Sequence, residues 1–449
     1  MQVDLTRGSV LKNIAVFSLP YLLSYFLQTL YGMADLYIAG QFNGADVISA
    51  VAIGSQVLHM LTVIIVGLSM GGSVLIGRAV GAKDESKVSS TSGTMIVLFA
   101  FFSVALTVIL LFCVNPIVSL MSTPRESVKE TELYLTICFS ALPFITAYNV
   151  IASLFRGLGD SKSPMFFIAF ACILNILLDF VFMGVFGMQA SGAALATVIS
   201  QFASVAVSFF FIRKKRSGLN IKKEDLRLNK GVALSLLKIG LPVACQDGFI
   251  QVSFLVITII ANRRGVSVAA AVGIVEKIIS FLFLVPSTML SCISAIASQC
   301  LGAGEWGRAK KTLLYGTCIA VGVGALFALL GNLFSEAAVA LFTKDADVVR
   351  FGSQYFRSYV LDCIVAAVHF SFSGYFCATG LSLVSFIHNA LSIVLVRIPG
   401  AWLSAKLWPD TLYPMGLAAP LGSLLSALIC VAVFLCYERK KKFRNYSAS

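Results

Sequence analysis

Charge is scarce in this chain. Asp, Glu, Lys and Arg make up 12% of its 449 residues, about half the share of a soluble domain. Hydrophobic residues make up 58%, and Phe alone occurs 35 times. That excludes a soluble fold, because burying so much apolar surface needs lipid. Histidine is rarer still, with three residues, and the eleven cysteines never fall as CxxC. Neither a structural metal nor a disulfide scaffold is indicated. No Walker motif and no HExxH occur, so a nucleotide-driven pump and an intramembrane metalloenzyme both lack their chemistry. A small-residue cleavage site is missing after the polar start MQVDLTRGSVLKN, so no removable signal peptide is expected.

What charge there is has a sign and a place. The formal net charge of +13 would suit nucleic acid, but the basic runs Arg213–Arg216, Lys222–Lys230 and Arg439–Arg444 all abut hydrophobic segments. Topology accounts for them there, with anionic lipid as an added contact. Nucleic acid is not expected as a partner; membrane lipid is. Twelve stretches are long and apolar enough to span, near 14–38, 47–76, 91–114, 132–155, 165–186, 190–212, 233–261, 268–299, 312–334, 353–378, 384–407 and 415–437. Twelve spans put both termini on one side. The connections on that side carry 24 Lys and Arg against eight opposite, which predicts cytoplasmic termini in a multi-pass plasma-membrane protein.

The chain also repeats itself. Leu19-Pro20-Tyr21 returns as Leu241-Pro242-Val243, 222 residues on. Val80-Gly81-Ala82-Lys83 returns as Leu301-Gly302-Ala303-Gly304, and Gly159-Asp160-Ser161 as Gly380-Leu381-Ser382, each 221 on. Six spans fit in that interval, so both copies enter the membrane in the same sense. The expected fold is an all-α integral membrane protein of twelve transmembrane helices in two parallel six-helix repeats. The lobes are 1–220 and 221–449, with a cytoplasmic linker near 213–232 and a basic cytoplasmic tail. Parallel repeats are a transporter plan with alternation by rocking. The repeated prolines, Pro20 and Pro242, are the expected hinges.

Leu19-Pro20, Tyr31-Gly32-Met33-Ala34-Asp35, Gly81-Ala82-Lys83-Asp84, Gly157-Leu158-Gly159-Asp160-Ser161-Lys162, Asn175-x-x-x-Asp179 and Gly192-Ala193-Ala194-Leu195-Ala196-Thr197 follow in order. Together they resemble the multidrug and toxic compound extrusion (MATE) transporters, in the bacterial branch similar to the DNA-damage-inducible efflux proteins. The likeness runs over essentially the whole chain. It implies a secondary antiporter and not an enzyme, exporting amphipathic cationic organic compounds in exchange for H⁺ or Na⁺ without a cofactor. One departure is Phe180, which follows Asp179 where many relatives have Pro.

An ionisable residue inside a span costs about 2.5–3.5 kcal/mol on insertion scales and is a functional candidate by default. Asp35 lies four, seven and eleven residues after Tyr31, Gln28 and Ser24, so one polar stripe runs down an otherwise apolar helix. A hydrogen-bonded helix seam would explain the neutral members. A carboxylate with no basic residue on its helix fits a transported cation better. Asn175 and Asp179 sit one turn apart on the fifth span, with no Lys or Arg between Lys162 and Arg213. Two carboxylates brought together in a low-dielectric place cannot both stay charged cheaply, and a proton or metal cation resolves the conflict. The Asn175 carbonyl and the Thr197 hydroxyl add the oxygens a hard cation such as Na⁺ prefers. Asp35, Asn175, Asp179 and Thr197 also match the positions at which the family's N-lobe holds its coupling cation. Gln28, Tyr31, Asn149 and Phe-rich walls are the expected substrate contacts.

The second repeat does not copy this set. Asn175 and Asp179 correspond to Val396 and Gly400. Instead it carries Asp362, His369, His388 and Arg397, with Asp362–Arg397 expected as a neutralised structural pair. The histidines are isolated in sequence and are expected to pack. A lipid-linked saccharide flippase of the same architecture is the alternative function. It would want several basic residues for a pyrophosphate, and only Lys277 and Arg397 lie within spans.

Overall fold

The computed structural model describes residues 4–214 and 222–446. The Lys215–Arg216 end of the first basic run and the rest of the linker to 221 lie outside the described residues. Every long element is a helix, as the apolar runs require. In chain order these are α1 (Val10–Phe42), α2 (Ala45–Gly81), α3 (Glu85–Phe112), α4 (Val114–Leu120), α5 (Val128–Ser140), α6 (Leu142–Gly157), α7 (Lys162–Asp179), α8 (Ala190–Lys214) and α9 (Lys230–Asn262). They continue as α10 (Val266–Leu282), α11 (Leu284–Gly302), α12 (Trp306–Leu333), α13 (Ser335–Ala340), α14 (Ala346–Tyr359), α15 (Asp362–Thr379), α16 (Ser382–Ser392), α17 (Ile398–Leu407) and α18 (Tyr413–Tyr446). Among the described residues, ten spans are long and apolar enough to cross a membrane singly, and two bent pairs, each counted as one span, make twelve. The bends are a finding that hydropathy does not anticipate. α5 and α6 meet at 50°, and α14 and α15 at 42°. These are the fourth and tenth spans, equivalent members of the two repeats.

The repeat is written in backbone conformation as well as in sequence. Gly159 and Gly380 both adopt positive φ, 86° and 84°, just before α7 and α16. Lys83 and Gly304 do so at 56° and 78°, just after α2 and α11. Lys83 is a strained choice at such a position, whereas its counterpart relieves the strain by having no Cβ. Asp84 then caps α3, accepting from the Lys87 amide at 3.0 Å and pairing with its ammonium at 2.9 Å. The Lys87 side chain holds that carboxyl below the usual carboxylate range. Asp160 caps α7 in the same way, accepting from the amides of Lys162 and Ser163 at 3.0 Å.

The chain forms two compact units. Unit 1 holds residues 15–244 with the short pieces 1–7 and 298–304; unit 2 holds 8–14, 245–297 and 305–449. The unit boundary in α9 falls after Ala244, two residues past Pro242. Within unit 1, glycines set the closest approaches. A Cβ on Gly71 would lie 2.2 Å from the Leu236 carbonyl oxygen, and one on Gly240 would lie 2.2 Å from that of Leu68. A Cβ on Gly81 would lie 1.9 Å from the Gln299 carbonyl, and one on Gly302 2.0 Å from that of Arg78. Backbone cannot yield there, so only glycine fits. Gly67-Leu68-Ser69-Met70-Gly71 also spells Gly-x-Ser-x-Gly, but it runs through mid-helix. Ser69 is fully buried and donates to the Val66 carbonyl at 2.8 Å, so it forms no nucleophile elbow.

Candidate functional site

Unit 1 gathers the polar residues of three helices at one buried place. Asp35 comes from α1, Asn175 and Asp179 from the end of α7, and Thr197 from α8; none is more than 2% exposed. The small residues Ala190, Ala193 and Ala194 on α8 pack into the apolar core around Ile38, Val47, Leu135, Phe139 and Met183. The Thr197 hydroxyl donates to the Asp35 carboxylate over a long 3.5 Å. Asp179 and Asn175 also act on Asp35, yet no hydrogen bond of ordinary geometry closes. The second Asp35 oxygen, both Asp179 oxygens and both polar atoms of Asn175 have no partner.

Such a set is unusual, because buried polar atoms nearly always find partners. Among the described residues, no Lys or Arg acts on either carboxylate. Two like charges about 4 Å apart repel by about 4 kcal/mol even at an effective dielectric near 20. The pair therefore favours taking up one positive charge, a proton or a metal cation. Its donor set is two carboxylates, an amide carbonyl and a hydroxyl, which is oxygen chemistry suited to a hard cation or to a proton.

The backbone leaving the site is also irregular. α7 ends at Asp179 and passes into a π-helical stretch, Phe180–Val185, a conformation common at functional sites. Phe180 keeps a backbone N–H that bonds to the Ile176 and Leu177 carbonyls. Proline at that position could not make this bond.

A second layer was not legible as a group. Tyr31 interacts with Asp35 and with Gln201 of α8, whose side-chain oxygen is unpartnered. Tyr134 of α5 meets the Ser55 hydroxyl at 3.1 Å and lies within the Asp35 field. Gly54 makes room for it, since a Cβ would fall 2.2 Å from the Tyr134 ring. Gln201 had a signal: it lies four residues after Thr197, on a buried stripe continued by Ser204 and Ser208. Tyr134 had none, because its partners are far away in sequence.

The expected substrate contacts fall in different settings. Gln28 is half-buried and interacts with Tyr148. Tyr31 is half-buried beside the carboxylates. Asn149 is 2% exposed, and its amide donates to the Ile145 carbonyl one turn back at 2.8 Å. Ser24, at the far end of the stripe, donates to the Pro20 carbonyl at 2.9 Å.

Unit 2 corrects one expectation. Asp362 and Arg397 are both buried but form no ion pair. The guanidinium donates to the Tyr359 hydroxyl and lies over the rings of Phe254 and Tyr359, which a flat, weakly hydrated cation favours. His369 and His388 are not isolated in space. Their ring centroids stand 5.6 Å apart, and the His388 Nε2 meets the Ser373 hydroxyl at 3.0 Å. Among the described residues, no group of three or more His, Cys, Asp and Glu gathers as a metal site.

The MatE family sequence profile matches residues 20–181 and 242–403, once in each repeat. "Probable multidrug resistance protein YpnP" of Bacillus subtilis (strain 168) is 28% identical over 97% of this chain and 96% of its own length. "Probable multidrug resistance protein NorM" of Thermotoga maritima is 25% identical over 88% of this chain and 86% of its own. A solved structure described as the outward-facing conformation of a multidrug resistance MATE family transporter of the MOP superfamily superposes with a TM-score of 0.91. It covers 98% of this chain and 99% of its own at 21% identity, which establishes likeness of fold.

Proposed function

Since this chain belongs to the MatE family of multidrug and toxic compound extrusion transporters, we propose that it exports amphipathic organic cations across the plasma membrane in exchange for H⁺ or Na⁺. Asp35, Asn175, Asp179 and Thr197 take the coupling ion. The observation that carries this reading is the pair of buried carboxylates on which, among the described residues, no Lys or Arg acts. A proton or a sodium ion supplies the missing charge. An organic cation near Tyr31 and Gln28 draws on the same carboxylate field, so ion and drug exclude one another. Binding the ion therefore releases the drug, and binding the drug releases the ion. Asn149 adds a polar contact for substrate, Pro20 and Pro242 give way as the lobes alternate, and both termini lie in the cytoplasm.

Dye efflux from proteoliposomes tests this directly. A pH gradient and a Na⁺ gradient are imposed in separate experiments, each with the other ion balanced. Accumulation driven by one of them is expected, and its dependence names the ion. Efflux indifferent to both gradients sinks the antiport reading.

A further inference from the structure

Unit 2 holds a second group of ionisable residues, Asp362 and Arg397 buried and Glu276 half-buried, that ion coupling in unit 1 leaves unused. Glu276 on α10 and Asp362 at the start of α15 each act through space on Arg397. Arg397 ends a π-helical stretch, Ile393–Arg397, that interrupts the fifth span of this repeat. Its guanidinium carbon lies 5.0 Å from the centre of the Phe254 ring and 5.6 Å from that of Tyr359, and one nitrogen donates to the Tyr359 hydroxyl. Glu276 accepts from the Thr258 hydroxyl at 3.2 Å through one oxygen. The other Glu276 oxygen, both Asp362 oxygens and the Arg397 Nε have no hydrogen-bond partner, although Ser423 acts on Asp362 without closing a hydrogen bond.

An arginine used as a structural rivet normally closes a two-point fork onto a carboxylate. This one does not, although two carboxylates are near. It is held by ring faces and by unpaired negative charge, and that is how a protein holds a free organic cation. The equivalent span of unit 1 ends its regular helix in Asp179, a carboxylate lacking a cation. The span in unit 2 brings its own.

We propose that Phe254, Tyr359, Glu276 and Asp362 form a binding site for guanidinium-type organic cations, and that Arg397 is its tethered occupant. Unit 2 then carries permanently the kind of charge that unit 1 must take from solution. The proposal does not depend on which ion drives export.

Thermal unfolding of the purified full chain in detergent tests it without any transport assay. Arg397→Ala vacates the cage, and ethylguanidinium is titrated against NaCl and the neutral isostere ethylurea. A ligand that binds only the folded state raises the unfolding midpoint saturably. The expected result is an upward shift with ethylguanidinium in Arg397→Ala that exceeds any shift in the unsubstituted chain and in Arg397→Lys. Adding Glu276→Gln and Asp362→Asn should remove that excess. No excess over the unsubstituted chain, or an equal response to ethylurea, overturns the proposal. Should Arg397→Ala fail to fold, the triple variant decides. Removing all three charges together leaves no orphan, so folded yield should recover; a triple variant no better than Arg397→Ala overturns the proposal as well.

Discussion

Thr197 on α8 reaches the Asp35 carboxylate on α1 at 3.5 Å, across 162 positions of chain. That hydroxyl is the one donor within hydrogen-bond reach of Asp35 among the described residues, over a long distance, and it is neutral. Thr197 thus orients Asp35 without bringing it a positive charge.

Neutralising either acid should uncouple the protein. Asp35→Asn and Asp179→Asn each remove a charge while keeping volume, so gradient-driven dye efflux should fall to the level of protein-free liposomes. The thermal midpoint should hold or rise, because an unpartnered buried charge opposes folding. Normal efflux in both variants would falsify the ion-site assignment.

Competition should be measurable at equilibrium. Lowering the pH, or raising NaCl at fixed ionic strength, should weaken drug binding, whichever ion is the physiological one. Coupling free energies of about 1–3 kcal/mol correspond to roughly 5–150-fold in affinity, and drug must weaken ion binding by the same factor. In Asp35→Asn the responsive series should flatten. An affinity indifferent to both series contradicts a shared site.

Glycine at the α2–α11 approach should be irreplaceable. Gly81→Ala drives a methyl into the Gln299 carbonyl, and overpacking of this kind costs about 1–3 kcal/mol. Gly32→Ala meets nothing within 4 Å and should leave the midpoint where it was. Thermal unfolding of the two variants side by side reads the difference; equal midpoints would mean the helices can part freely.

Topology can be read with single cysteines in a cysteine-free background. A probe at 218 or 445 should react with an impermeant maleimide only from the cytoplasmic face, and one at 263 only from outside. Arg263 is the better outer probe than its neighbour, because the Arg264 guanidinium donates to the Trp408 and Pro409 carbonyls. External labelling at 218 would reverse the orientation read from the basic residues.

Much of this architecture was legible in the sequence because lipid simplifies the code. Apolar length fixes spans, and a charge inside one stands out, so Asp35 and Asp179 could be named before their meeting place was known; Asn175 and Thr197, which are neutral, are legible as oxygen donors and by the family resemblance. The bends in the fourth and tenth spans were not legible, since mean hydropathy is indifferent to a break in direction. Nor was the π-helical stretch after Asp179, where the surrounding residues are all ordinary membrane-helix residues. Gln201 could have been found by stepping four residues from Thr197, as was done for Asp35. Arg397 misled for a different reason. Opposite charges on consecutive spans look like a pair, but ring faces can compete for a guanidinium, and sequence order does not say which are near.

The glycine contacts of unit 1 carry a consequence for the chain's symmetry. Gly81 approaches Gln299, and Gly302 approaches Arg78; both exchanges relate positions 221 residues apart. Reciprocal contact, in which one residue touches a second while their counterparts touch in return, is the mark of an isologous interface between identical subunits. Here one polypeptide contains both sides of it. A half-length chain would hold both kinds of residue, Gly81 and Arg78, and would present the same patch to its own copy.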